Sequence, residues 1–359
     1  MTAPVRVLVV DDSAVMRQLL STLLAEDPEI EVVGTAPDPL VARDRIKMLN
    51  PDVVTLDVEM PHMDGVSFLR KIMTLRPMPV VMISTLTKAG AEVTLEALEI
   101  GAVDFIAKPA TNAAQELAAL AIELQTKVKN AARTKVAARR SAAPAKVTPR
   151  ANFVSSGDKV VLIGASTGGV EALKVVLMGL PSNCPPILIT QHMPPRFTAA
   201  FAERLNRECP MNVSEAKHND VLEQGHVYIA PGSHHLELVR KGTGYACAIN
   251  DGPAVSGHRP SVDVLFRSGA KIAGPKIVSV ILTGMGKDGA EGMLELSKAG
   301  AITIGQDEHS SLIYGMPRAA FERGAVQSQF ALDHVADAIL DACSGKTAAK
   351  QPHHASHAS

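Results

Sequence analysis

Three short patterns carry residue types that could serve as a nucleophile, a base and an acid. Gly164-Ala165-Ser166-Thr167-Gly168-Gly169 follows the apolar run Lys159–Ile163 and leads into an amphipathic stretch from Val170. Gly-x-Ser-x-Gly is the spacing of a nucleophile elbow. Small neighbours permit a turn that lifts a serine Oγ clear of a sheet, and the helix behind it offers N–H donors to a developing oxyanion. The same turn could instead cradle a phosphate, although neither G-x-G-x-x-G nor the Lys-Ser/Thr of a P-loop is present.

A serine nucleophile needs a base. His192 stands directly after the apolar run Ile187-Leu188-Ile189-Thr190-Gln191, which in a parallel sheet puts it at the same edge as Ser166. His234 and His235 follow V-Y-I-A-P-G and compete with it, whereas His218, His226, His258, His309 and His334 lack that position and read as ordinary surface or core histidines. The third group must be an acid that holds the imidazole tautomer and stabilises its charged form. Asp288 qualifies, in the loop Thr283-Gly284-Met285-Gly286-Lys287-Asp288-Gly289 after Ile277–Leu282, though it could also cap a helix starting near Ala290.

A second constellation lies in the first 125 residues. Asp11 and Asp12 follow one apolar run, Asp57 follows V-V-T-L, Ser84 and Thr85 follow V-V-M-I, and Lys108-Pro109 follows Asp104–Ala107. Three carboxylates, a hydroxyl and a lysine at one sheet edge suit a hard cation beside a phosphoryl acceptor. A single strand-end Asp would be an unremarkable helix cap; the full set is harder to explain that way.

The elements that must position these groups are legible as periodicity. Arg6–Val10, Ile30–Thr35, Asp52–Leu56, Val80–Ser84 and Asp104–Ala107 are short Val/Ile-rich runs, separated by amphipathic stretches such as Ala14–Ala25. Five βα units in so short a segment predict a doubly wound parallel sheet. The later segment repeats the pattern, so the expected class is α/β, with two doubly wound parallel-sheet domains joined by a basic linker. The predicted boundaries are 4–125, a linker at 126–152 whose first part could continue a helix, a second domain at 153–345 and a polar tail at 346–359.

The first segment resembles the receiver domain of two-component response regulators, and E-M-P-H-M-D-G (Glu59–Gly65) fits the loop after the phosphoacceptor. The resemblance implies a flavodoxin-like fold with Asp57 as phosphoacceptor and Asp11, Asp12 and Asp57 around Mg²⁺. It also implies Lys108 as phosphate contact and Ser84, with Thr85 adjacent, as switch hydroxyl. The second segment has the chain order Ser166, His192, Asp288, which is not that of an α/β-hydrolase. It resembles the catalytic domain of chemotaxis protein-glutamate methylesterases, a Rossmann-like serine esterase. The resemblance rests on G-A-S-T-G-G, Q-H-M-P-P-R-F-T (Gln191–Thr198), V-Y-I-A-P-G (Val227–Gly232), R-P-S-V-D-V-L-F (Arg259–Phe266), L-T-G-M-G-K-D-G (Leu282–Gly289) and Y-G-M-P-R-A (Tyr314–Ala319). It implies hydrolysis of glutamate γ-methyl esters on chemoreceptors, deamidation of their glutamines, a histidine kinase as phosphodonor and an inhibitory receiver. Backbone N–H groups of Thr167 and Met285 are the candidate oxyanion donors, and no cofactor is expected for ester hydrolysis.

Composition narrows the alternatives. With 8 Phe, 3 Tyr and no Trp among 359 residues, aromatic platforms for single-stranded nucleic acid or sugars are not expected. The four cysteines form no C-x-x-C pair and read as reduced thiols; with acids reached before any signal-peptide core could form, a cytoplasmic protein without membrane insertion is expected. Residues 1–125 carry 10 basic against 18 acidic side chains, whereas 126–152 carry 8 basic and none acidic. A DNA-binding regulator using that basic stretch is the first rival reading. No helix-turn-helix pattern is visible, and residues 153–359 are close to neutral at net −1, so nucleic acid is not an expected partner. A non-enzymatic nucleotide module built on the 164–169 turn is the second rival, distinguishable by equilibrium nucleotide binding.

Overall fold

The computed structural model describes residues 3–60, 63–109, 113–134, 153–154 and 158–345. The predicted linker beyond Thr134 and the tail at 346–359 lie outside those residues. The chain forms two compact units.

The first unit alternates β1 (Val5–Val10), α1 (Ala14–Ala25), β2 (Ile30–Ala36), α2 (Pro39–Leu49), β3 (Val53–Asp57), α3 (Gly65–Leu75), β4 (Val80–Ser84), α4 (Lys88–Ile100), β5 (Asp104–Ala107) and α5 (Ala114–Arg133). Its five strands are parallel in the order β2-β1-β3-β4-β5. Every residue of β3 and β4 is buried, which is why these strands read as unbroken apolar runs. Leu20, Leu23 and Leu24 of α1 pack with Val7, Val9, Val53, Val81 and Ile83 in one core. The strand order reverses between β1 and β3, so the loops after them open a crevice at the carboxyl edge.

The first part of the predicted linker continues a helix, as the sequence allows, but it belongs to the first unit rather than to a linker: residues 126–133 are the last two turns of α5. Val128 and Ala131 are fully buried in the core of the first unit. Lys127 Nζ lies 2.8 Å from Glu123 and 3.2 Å from Asp104, and Lys129 Nζ lies 2.6 Å from Asp27 and 2.9 Å from Glu29. Part of the apparent basic excess therefore answers acids within the same unit.

The second unit contains β6 (Val160–Ala165), α6 (Gly169–Met178), β7 (Ile187–Gln191), α7 (Phe197–Glu208), β8 (Asn212–Glu215), β9 (His226–Ile229), β10 (His235–Lys241), β11 (Gly244–Asn250) and α8 (Val262–Ile272). It continues with β12 (Ile277–Ile281), α9 (Ala290–Lys298), β13 (Ile302–Gln306), α10 (Met316–Glu322), β14 (Ser328–Phe330) and α11 (Leu332–Cys343). Seven strands form a parallel sheet in the order β14-β13-β12-β6-β7-β9-β8. The antiparallel hairpin β10–β11, which sequence reading did not foresee, packs Leu236 and Leu238 into the same core as Phe266 of α8. β6 lies between β7 and β12, so the chain turns in opposite directions on either side of it. This switch point brings the loops after β6, β7 and β12 together. In register, Ala165 faces Gln191 and Gly164 faces Ile281, one step before Ser166, His192 and the Asp288 loop.

Candidate functional site

Ser166, His192 and Asp288 meet at this edge. His192 Nδ1 lies 3.1 Å from Ser166 Oγ, and His192 Nε2 lies 2.8 Å from Asp288 Oδ2. Asp288 is held as the carboxylate, which accepts but cannot donate, so Nε2 carries the ring proton and Nδ1 is left as the acceptor. The ring nitrogens thus exchange the roles they have where Nε2 faces the serine. Burial alone would raise the Asp288 carboxyl; hydrogen bonds from His192, Ser261 and the Val262 N–H outweigh it and hold the group below its ordinary value.

The loops are crosslinked by the backbone. Ser166 N–H donates to Thr283 O at 3.0 Å, and Gln191 Nε2 donates to Ser166 O at 2.9 Å. Gly168 takes the left-handed φ of +78° at the N-terminus of α6. A Cβ at Gly284 would lie 2.8 Å from Ser166 Cβ, so only glycine lets the Asp288 loop approach so closely. Thr167 and Met285, the expected oxyanion donors, flank this contact in sequence, Thr167 after Ser166 and Met285 after Gly284.

Asp288 does not cap the helix that follows it; Gly289 is the cap residue of α9 and offers no side chain. Its carboxylate sits instead on the N-terminus of α8. Ser261 Oγ donates to Oδ1 at 2.8 Å, Asp263 N–H to Oδ1 at 3.1 Å, and Val262 N–H to Oδ2 at 2.7 Å. Those donors and the positive end of the helix explain a carboxylate with 1% side-chain exposure. Sequence reading missed Ser261; the signal was a serine immediately before a helix, whose hydroxyl serves Asp288 rather than its own helix. Ser261→Ala is expected to lower kcat by ~10- to 100-fold with little change in KM, since it removes one of the two hydrogen bonds that Oδ1 of the buried anion accepts. Steady-state kinetics on the purified chain checks this; an unchanged kcat would remove Ser261 from the site.

The rival bases are committed elsewhere. His235 is buried, with Nε2 3.0 Å from Pro253 O and Nδ1 accepting from Ser261 N–H at 3.2 Å. His234 pairs with Gly232 O and Asp251. Cysteine nucleophiles are not at hand: burial pushes the Cys247 and Cys343 thiols up to about 12 and Cys209 to about 11.

In the first unit, Asp11, Asp12 and Asp57 present carboxylate oxygens within 4.8 Å of one another. None of them caps a helix: Ser13 caps α1 and Asp64 caps α3. Lys108 Nζ lies 2.8 Å from Asp57 Oδ2 and 3.1 Å from Asp11 Oδ2. Burial raises the Asp57 carboxyl to about 6, opposed by the Lys108 hydrogen bond and helped by the Asp11 charge. One ammonium does not neutralise three carboxylates, and an all-oxygen donor set suits Mg²⁺.

The Ser84 hydroxyl is turned onto α4 rather than Asp57. It donates to Gly90 O at 3.2 Å and accepts from Thr94 Oγ1 at 2.7 Å, while Thr85 Oγ1 donates to Glu59 at 3.2 Å.

A stability test follows from Asp57. Its folded value of about 6, above 3.8, means the native state binds the proton more tightly. Native stability therefore falls as pH rises between those values, and the cost, ~1–3 kcal/mol, is fully present near neutrality. Asp57→Asn is expected to raise the first unit's thermal midpoint by several degrees in chelator near neutral pH. Saturating Mg²⁺ should stabilise the wild type and narrow the gap. Differential scanning calorimetry decides; a lower midpoint for Asp57→Asn in chelator would refute the reading.

Known proteins agree with both units. A response regulator receiver domain family matches residues 7–121, and the CheB methylesterase family matches residues 161–339. The protein-glutamate methylesterase/protein-glutamine glutaminase 1 of Caulobacter vibrioides is 58% identical over 346 residues, covering 96% of this chain and 99% of that protein. Its namesake in Xanthomonas campestris is 53% identical, covering 94% and 97%. The crystal structure of the Thermotoga maritima CheB methylesterase catalytic domain is 34% identical with a TM-score of 0.51, covering 52% of this chain and 99% of that one. With a receiver and an esterase unit in one chain, and relatives alike over nearly their whole length, this chain belongs to the CheB family of protein-glutamate methylesterases/protein-glutamine glutaminases.

Proposed function

We propose that the chain removes γ-methyl groups from glutamate side chains of chemotaxis receptors, releasing methanol, and deamidates receptor glutamines. The observation that carries this reading is the continuous hydrogen-bonded series Ser166, His192, Asp288 at the sheet's switch point. Ser166 Oγ attacks the γ-carbonyl carbon as its proton passes to His192 Nδ1. The oxyanion draws on backbone N–H groups of Thr167 and Met285 beside the N-terminus of α6. Collapse expels the alkoxide, which takes the proton from Nδ1 and leaves as methanol. His192 then deprotonates water, which attacks the acyl-serine; the carboxylate is freed and the proton returns to Ser166. A primary amide presents the same carbonyl, with ammonia as the leaving group. Asp288 remains a carboxylate and stabilises the imidazolium at each stage.

In the receiver, Asp57 accepts the phosphoryl group from a chemotaxis histidine kinase, with Lys108 meeting its charge and Ser84 the candidate switch. Asp11, Asp12 and Asp57 would hold Mg²⁺, which supplies charge neutralisation at the transferring phosphoryl group. No helix among the described residues is long and apolar enough to cross a membrane; a cytoplasmic enzyme acting on the receptors' cytoplasmic segments fits this reading. Methanol release from methylated receptor membranes, and ammonia release from receptors carrying glutamine, test the two activities with Ser166→Ala as the control.

A further inference from the structure

His258 was set aside in the sequence as a histidine without a strand-end position. The structure lays its imidazole flat against the catalytic one: the His192 and His258 ring centroids are 3.7 Å apart and the planes differ by 10°. A dedicated turn places it there. Val255 and His258 close a two-residue hairpin, with Val255 N–H donating to His258 O at 3.0 Å and His258 N–H to Val255 O at 2.9 Å. The two central residues, Ser256 and Gly257, take φ of +54° and +80°. Such a turn needs positive φ at both positions, and a serine adopts it against its steric preference. The hairpin is tied down on both sides. Ser256 Oγ donates to Asp263 Oδ2 at 3.3 Å, and Asp263 Oδ1 accepts the Gly292 N–H at 2.7 Å. Arg259 Nη1 donates to the carbonyls of Asp251 and Gly252, each at 3.1 Å.

The two hydrogen bonds of His192 explain why a stacked ring matters. Ser166 Oγ meets Nδ1 and Asp288 meets Nε2, and the lone pair and the N–H of an imidazole both point along the plane of the ring. Together they fix an axis through the ring but restrain rotation about that axis only weakly. Rocking tips the Nδ1 lone pair away from the serine proton, and later tips the Nδ1 proton away from the leaving oxygen. A flat ring in van der Waals contact with one face opposes this rocking, and it also keeps water off that face.

We infer that His258 is a positioning residue for the esterase reaction, holding the plane of His192 through face-to-face stacking. The inference rests on the triad reading above. It calls for a flat ring at position 258 rather than an imidazole.

The test uses the full-length chain with His258→Ala, His258→Leu and His258→Phe. Two rates are read: methanol release, resolved into kcat and KM, and inactivation by phenylmethylsulfonyl fluoride, a small probe of Ser166 nucleophilicity that needs no receptor contacts. Expected for Ala and Leu is a ~10- to 100-fold lower kcat, KM within ~3-fold of wild type, and sulfonylation slowed in step. Phe should recover most of both rates. Melting curves establish that compared variants are folded, and the Phe and Leu pair carries the comparison should Ala not fold. A Leu variant as fast as wild type, a Phe variant no better than Leu, or a loss confined to KM would each overturn the inference. Full activity in Ser166→Ala would instead overturn the triad, so the two failures are distinguishable.

Discussion

Methanol release by Ser166→Ala is expected to fall by ~10³- to 10⁶-fold, with the fold and the receiver's phosphorylation intact. The serine is half-buried on a turn that is held by its backbone, through the Ser166 N–H to Thr283 O and Gln191 Nε2 to Ser166 O bonds, so deleting Oγ disturbs only the chemistry. His192→Ala should cost about as much. Because nucleophile and base act as a unit, the double variant should be scarcely worse than either single one. Near-normal turnover in Ser166→Ala would remove the serine mechanism; retained turnover in His192→Ala would require another base. Asp288→Asn is a less clean probe. Four donors converge on that carboxylate, from His192, Ser261, Val262 and Asp263. An amide nitrogen in place of one oxygen meets donors with a donor, so part of any loss would be stability, ~1–3 kcal/mol for each stranded hydrogen bond. Thermal melting beside the kinetics separates the two effects.

The three groups that meet at the switch point were legible in the sequence because each follows an apolar strand, where a parallel sheet concentrates function. The same logic located Asp11, Asp12, Asp57 and Lys108. What escaped were groups delivered by connecting segments. Ser261 and His258 lie between the hairpin β10–β11 and α8, in a stretch without period-2 or helical patterning, so nothing local announced their proximity to the switch point. The hairpin itself was hidden because His-Leu-Glu-Leu-Val-Arg-Lys alternates only over its first four residues, and its apolar face joins the core that contains α8. The end of the first domain was placed short for a different reason, although the sequence allows the start of the linker to continue a helix. Lys127, Lys129 and Arg133 looked like a solvated basic linker, whereas Lys127 and Lys129 pair with acids that lie far away in sequence or on the preceding turn.

Phosphorylation of Asp57 is expected to raise esterase activity by ~5- to 150-fold, the range spanned by typical coupling energies of ~1–3 kcal/mol. The receiver holds a lever for this. An acyl phosphate adds negative charge beside Lys108 and supplies oxygens that compete for the Ser84 hydroxyl. To donate there, Ser84 must release Gly90 O, in the first turn of α4, so charge at Asp57 is converted into a change at the start of that helix. If the unphosphorylated receiver inhibits, phosphorylation needs only to weaken that inhibition. Two variants of the chain decide the sign. The 153–359 fragment, whose apolar core is assembled from its own residues, should exceed the unphosphorylated full-length chain in methanol release. Asp57→Asn should stay at the basal rate when a small-molecule phosphodonor and Mg²⁺ are supplied. A fragment no faster than the intact chain would mean that the receiver activates rather than releases, because removing an inhibitor cannot leave the rate unchanged. A normal phosphodonor response in Asp57→Asn would move the acceptor away from Asp57, since an amide cannot form the acyl phosphate on which the coupling depends.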